Sequence, residues 1–414
     1  MKKSLTILII VISILLLAFF GWYFLLRDKS IPAREAIFDI LPFGSGEDMN
    51  VPALPPVDIN GDGEDIEQLD EFGSPAANLF RISDIPVAGA VIFNRNNRPI
   101  VRYVDRATGH IYDVSLPTEE NQDPLEKIKV TNNTLPKIYE AHFRSDGNAV
   151  LLRSLRDDSD VIENLSLALT PPQTNTLYMV SSTAIRGNIS SVAVGSGNTL
   201  FYALKDSSSI VSSAFNGAGT RTLLNSPFTD WRLAAAGNRL IAYTKASVAA
   251  SGFAYNINTS NGAFTKILGP LNGLVVIPNT AGNRILYSYI ENGQTRLLAN
   301  NSQGEIISEM TPATIAEKCV WSAKDINLVL CGSPANPIGP SEPDNWYRGV
   351  THFSDRIWLF DTNIQTAQIL VEPKPTLGID IDVVELKLSP DEDYLIFINK
   401  TDLTLWALRL VDSN

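Results

Sequence analysis

An all-β fold, a seven-bladed β-propeller of four-stranded blades preceded by one N-terminal transmembrane helix, is what three features of this 414-residue sequence predict. A strand–turn–strand pattern returns seven times at intervals of about 45 residues, the spacing of propeller blades. Gly-Asn and similar pairs recur at the turns, where tight hairpins need the positive backbone angles that these residues tolerate. No long amphipathic helical pattern follows the apolar N terminus, so the repeats read as all-β.

Taken in order, residues 1–29 read as a cytoplasmic tip and a membrane anchor. Leu5–Leu26 is an uncharged apolar run of 22 residues. At about 1.5 Å per residue it reaches roughly 33 Å, enough to cross a bilayer core. Trp22 and Tyr23 near its far end suit a membrane interface. Arg27, Asp28 and Lys29 follow at once, where a cleaved signal peptide would carry small residues. Lys2 and Lys3 roughly balance Arg27, Lys29 and Arg34, so flanking charge discriminates orientation poorly. A single-pass protein with its N terminus cytoplasmic and its body outside the cytoplasm is the expectation.

Residues 30–77 read as an acidic flexible linker. Between Ile31 and Ala77 stand eleven acids against Arg34 alone, which accounts for most of the net charge of −12. With scattered Pro and Gly and few apolar side chains, the segment cannot bury a core of its own. As a flexible tether it would hold the body about 40 Å from the membrane. Asp58, Asn60 and Asp62 match the start of a calcium loop, in which alternate oxygens face one ion. Leu69 then stands where that loop needs a bidentate Glu, so these three are a weak candidate and no metal site is expected. The remaining body is only mildly acidic, which argues against nucleic acid as a partner.

Residues 78–414 read as the propeller domain. Its turns fall at Phe93–Asn97, Phe143–Asn148, Gly195–Asn198, Ala236–Asn238, Thr280–Asn283, Ser322–Asp325 and Ser389–Glu392. Each leads into a short apolar strand, from Ile100–Tyr103 in the first unit to Tyr394–Ile398 in the last. Fourth strands fit Leu125–Val130, Thr176–Val180, Thr220–Leu224, Phe264–Leu268, Glu305–Glu309 and Thr366–Val371. The final unit offers three strands only, Val383–Leu388, Tyr394–Ile398 and Leu403–Leu410. Asn78–Ser83 is predicted to pair outside the last of these, so that the start of the domain closes its end.

The Ser-Pro-Asp turn at Ser389–Asp391, the strand Tyr394–Ile398 and Leu405-Trp406 resemble the WD-repeat-like and TolB-type propellers. The resemblance implies architecture, not activity, because the Gly-His and Trp-Asp dipeptides of WD repeats are absent. Asp105-Arg106-Ala107-Thr108-Gly109 resembles one turn of the quinoprotein propellers. It occurs once, without the accompanying Trp, and no cofactor is expected.

Cys319 and Cys331, the only cysteines, stand six residues either side of Asp325. A hairpin there would set them opposite one another. A disulfide is one reading, favouring an oxidising compartment; two buried thiols are the other. The segment Gly332–Asp355 is longer than the equivalent connections in other units, and long loops tend to carry function. Within it Trp346, Tyr347, Arg348 and His352 are binding candidates; alternatively the aromatics fold back to cap a blade or the channel mouth. His110, His142 and His352, the only histidines, lack metal-ligand spacing. Together these features predict a non-catalytic module that binds a protein or glycan of the cell envelope. An envelope hydrolase or lyase with its site at the channel mouth is the alternative.

Overall fold

Short strands joined by turns of positive φ have one economical way to pair their backbones, the antiparallel meander, and the chain repeats it seven times. The computed structural model describes residues 78–410, apart from 119–123, 157–158, 173–176, 229 and 237–238. Blade 1 comprises Val87–Arg95, Arg98–Asp105, Ile111–Ser115 and Lys127–Lys129, from the inside outward. Blade 2 comprises Ile138–Phe143, Ala149–Leu155, Ile162–Thr170 and Met179–Ile185; blade 3, Ile189–Val194, Thr199–Leu204, Ser209–Ala214 and Arg221–Asn225. Blade 4 holds Trp231–Ala236, Arg239–Thr244, Ser251–Asn258 and Phe264–Asn272, and blade 5 Val275–Pro278, Arg284–Glu291, Gln294–Asn301 and Ile306–Glu309. Blade 6 holds Cys319–Trp321, Leu328–Pro334, Asp355–Asp361 and Thr366–Val371. Blade 7 holds Val383–Leu388, Tyr394–Asn399 and Leu405–Arg409.

The outermost strand of blade 7 is the first strand of the domain. Leu79–Ser83 runs antiparallel to Leu405–Arg409, with Leu79 opposite Leu408 and Phe80 opposite Ala407. The expected closure is therefore present. Phe80 packs edge-on to Tyr394 at 6.3 Å and joins the core between blades 7 and 1 with Ile396, Leu405, Val101 and Val114. Burying each such side chain stabilises by about 1.5–3 kcal/mol. A second core fills the space between blades 1 and 2.

The first hairpin shows why these turns are readable. Asn96 and Asn97 both take positive φ, 52° and 58°, as a two-residue hairpin turn requires. The outer strand of blade 2 is less readable. It spans Met179–Ile185 rather than the expected Thr176–Val180. Its Ser-Ser-Thr-Ala run is exposed and lacks an apolar face, so the pattern that marks buried strands is missing there.

The long connection in blade 6 begins later than Gly332. The second strand continues to Pro334, opposite Asp355, leaving residues 335–354 as the loop. It carries a short helical turn at Asp344–Tyr347. Residues 78–346 and 351–410 belong to one compact unit, of which 347–350 are not a part; in that segment Arg348 and Val350 are exposed. Among the described residues no helix is long and apolar enough to cross a membrane. The expected anchor Leu5–Leu26 and the weak calcium candidate Asp58, Asn60 and Asp62 lie outside the described residues.

Candidate functional site

A concavity of about 1410 Å³ opens between blades 1 and 2 on the face of the first hairpins. Blade 1 supplies Phe93, Asn94, Arg95 and Asn96 from its first hairpin, with Asp113 and Ile128 behind them. Blade 2 supplies Asp146 and Asn148 from its own first hairpin, and Pro171, Pro172, Leu177 and Tyr178 from the approach to its outer strand.

A buried ion pair sets the floor. Arg102, on the second strand of blade 1, donates from Nε to Asp113 Oδ1 at 2.6 Å and from Nη2 to Oδ2 at 2.8 Å. Its Nη1 donates to the carbonyl of Gly147 at 2.9 Å, tying blade 1 to the hairpin of blade 2. Burial works against the Arg102 charge, but the Asp113 carboxylate outweighs it and raises the guanidinium above its ordinary range. Arg95 donates to the same Asp113 at 2.9 Å. Both guanidinium groups lie over the rings of Phe93 and Tyr178, Arg102 at 5.3 and 4.6 Å, so cation–π attraction holds the two aromatics in place. Gly147 has φ 72°, and a Cβ there would stand 2.5 Å from the Phe93 ring, so only glycine permits this contact. Around this stiff floor Ile128 and Leu177 are 50% and 39% exposed, beside the amides of Asn94, Asn96 and Asn148. Exposed aliphatic groups, rigid aromatics and amide rims together suit the recognition of a macromolecule.

The long loop of blade 6 is organised differently. Trp346 is 2% exposed and donates its indole N–H to Asp382. Asp382 also accepts from Lys318 Nζ and from the Phe353 amide. Lys318 pairs with Asp355 at 2.8 Å, and all three charged side chains are fully buried. The Lys318 ammonium lies 5.0 Å from the Trp346 ring and 5.1 Å from the Phe353 ring. Trp346 is thus a core residue and not a contact residue, because the buried charges beneath it need its donor. His352 is exposed, beside a hollow of about 400 Å³ shared with Glu342, Asn345 and Thr351. Tyr347 is half-buried and Arg348 exposed. Sequence reasoning missed Lys318, Asp355 and Asp382, which are scattered over three segments and share no motif.

Cys319 and Cys331 are directly opposed across the first two strands of blade 6 and joined by a disulfide. Among the described residues, no group of three or more metal-binding side chains comes together. His110 sits 3.1 Å from Thr134, whereas His142 stands 3.1 Å from Glu140 on the inner strand of blade 2.

Ionisable groups also meet on the innermost elements of the blades. Burial alone would raise the Glu140 carboxyl, but the His142 contact and the Arg153 charge bring it down to about 2. Glu385, on the inner strand of blade 7, takes φ 53° at a bulge and is reached by solvent. Enclosure by the blades pushes its carboxyl up, and His142, Glu140 and Glu317 all act on it. Lys387, two residues on, is pushed down by burial and donates to the carbonyl of Ala90 in blade 1.

No protein-family model matches the chain, and no curated protein is similar to it in sequence. Solved structures do match. An oligogalacturonate lyase in complex with manganese superposes with a TM-score of 0.53 at 9% identity, covering 81% of this chain and 93% of that one. YCF48 bound to D1 peptide gives 0.50 at 10% identity, covering 80% and 96%. TolB from Acinetobacter baumannii gives 0.40 at 12% identity, covering 62% and 58%. At such identities the first two share the fold alone with this chain.

Proposed function

We propose that the protein is a membrane-tethered, extracytoplasmic propeller that binds a protein or glycan of the cell envelope and catalyses nothing. The cleft between blades 1 and 2 carries this reading. Its floor is held stiff by Arg102, Asp113, Phe93 and Tyr178, and its rim offers exposed Ile128 and Leu177 beside amide groups. A preorganised floor limits the ordering cost of binding, and so favours a stable complex. The apolar run Leu5–Leu26 supports the tether, and the disulfide supports an oxidising compartment. Crosslinking in intact cells, read by mass spectrometry, tests the reading. A photo-crosslinker at Leu177 should capture envelope partners, and Tyr178→Ala should weaken the capture. Recovery of no partner would overturn it.

A second reading, an envelope hydrolase or lyase acting from the channel, draws on the inner-strand groups. A Glu385 carboxyl pushed above its ordinary range by enclosure, with Lys387 and His142 acting on it, is the kind of arrangement that moves protons. Cleavage of a glycan or peptide library by the purified chain, abolished by Glu385→Gln, would favour this reading over the first.

A further inference from the structure

The outer edges of the blades are not alike. A sheet edge presents unpaired N–H and C=O groups, and proteins blunt such edges with short strands, charges, prolines or bulges. Six of the seven outer strands here are blunted. Lys127–Lys129 is three residues long with two lysines. Leu79–Ser83 and Arg221–Asn225 each carry an arginine and a register shift. Phe264–Asn272 has Lys266, Pro270 and two shifts. Ile306–Glu309 ends in a carboxylate and is shifted, and Thr366–Val371 is shifted as well.

Met179–Ile185 has none of these devices. Its sequence, MVSSTAI, lacks charge and proline, and it pairs residue for residue with Ile162–Thr170 from Met179 opposite Thr170 to Ile185 opposite Asn164. Its outer edge meets no other strand among the described residues. Met179 is 70% exposed, and Ser181, Ser182, Thr183 and Ala184 are exposed too. On the side toward blade 3, Ser181 and Thr183 stand beside the small Ser166 and Ala168, leaving a hollow of about 240 Å³ over Phe215. The candidate cleft opens beside the other end, where Leu177 and Tyr178 lead into the strand.

We propose that this edge receives an added β-strand from an extended, uncharged segment of a partner protein. Main-chain hydrogen bonds would supply affinity, and the hollow over Phe215, rimmed by Arg144, Asn198 and Asn216, would take one side chain of the added strand. A second copy of this chain, pairing this edge with its own, is the other occupant that the experiment distinguishes. The proposal rests on the binding reading above and specifies its partner.

Selection of random peptides displayed on phage against the full chain in nanodiscs tests it. The probe is then a synthetic copy of the most enriched peptide. Enriched peptides should alternate apolar and polar residues without proline. Backbone N-methylation of that peptide, and Ser181→Lys with Thr183→Lys in the protein, should each weaken binding by about tenfold or more, equivalent to about 1.4 kcal/mol. Both positions are exposed, so the melting temperature should hold. Binding indifferent to N-methylation and to the lysines would overturn the proposal. So would a wild-type dimer that the lysines dissolve, because the occupant would then be a second copy. Envelope crosslinks at Leu177 that survive the lysine substitutions would leave the binding function standing and remove the edge from it.

Discussion

Trp346 donates its indole N–H to both oxygens of Asp382, at 3.1 and 2.9 Å, and so pins the long loop of blade 6 to the start of the inner strand of blade 7. The carboxylate it caps is fully buried and already paired with Lys318. The loop is therefore part of the fold at its centre, whatever its exposed side chains do.

That network predicts its own fragility. Lys318→Met removes the cation that Asp355 and Asp382 share and leaves two buried carboxylates beside each other. A loss of about 3–5 kcal/mol in chemical denaturation is expected. Trp346→Phe keeps an aromatic ring but removes the donor and part of the indole volume, so about 1–3 kcal/mol is expected. A smaller loss for Lys318→Met than for Trp346→Phe would contradict this account.

The pH dependence of stability should have two components of opposite sign. Burial, aided by Asp382 and opposed by Lys318, raises the Asp355 carboxyl to about 6. The folded state then holds a proton that the unfolded chain releases near pH 4, so this contribution is complete below about pH 4 and lost as pH rises through 6. Glu140 is the reverse case: lowered to about 2, it contributes above about pH 4.5 and loses that contribution as pH falls toward 2. Asp355→Asn should flatten the melting-temperature profile between pH 4 and 6 and leave the acid limb in place. Glu140→Gln should do the opposite.

Reduction offers a third check. Intact mass should rise by two hydrogens on reduction, with Cys319 and Cys331 as the site. The bridge closes a loop of 12 residues in sequence, so its loss should cost roughly 3 kcal/mol. An unchanged mass would remove the bond from solution.

Closure through the first strand gives a fourth. Phe80→Ala deletes a buried ring in contact with Tyr394 and should cost about 3–5 kcal/mol. Deletion of Asn78–Ser83 should lower the melting temperature of the whole domain. Unfolding of blade 7 alone would show that the strand decorates the ring without sealing it.

The sequence made the hairpins legible because Asn-Asn and Gly-Asn turns report backbone angles directly, and because second strands, held between two neighbours, bury both faces. Ile100, Val101, Tyr103 and Val104 illustrate the second point. The outer strand of blade 2 was misplaced by a few residues because Ser181–Ala184 face solvent and carry no apolar period. The site was less legible still. Cys319 and Cys331 could be set opposite one another from their symmetry about one turn, with a bond or two thiols both open, but Lys318, Asp355 and Asp382 come together only when blades 6 and 7 pack. Trp346 looked available because it stands in a long, proline-rich loop, and nothing local reveals the buried carboxylate that claims it. Likewise Arg102 and Asp113 lie on adjacent strands, but their role under Tyr178 depends on the neighbouring blade.

The pairing of Leu79–Ser83 with Leu405–Arg409 also orders events in time. A chain made from its N terminus produces one half of this seam first and the other half last. Until the final strand emerges, the earliest strand of the domain has no ladder to join. Joining them closes a loop of roughly 320 residues, an entropic cost of about 5 kcal/mol that must be met in one late step. Blades 1 to 6 can each form as they are made, but the ring closes only once Leu405–Arg409 has emerged.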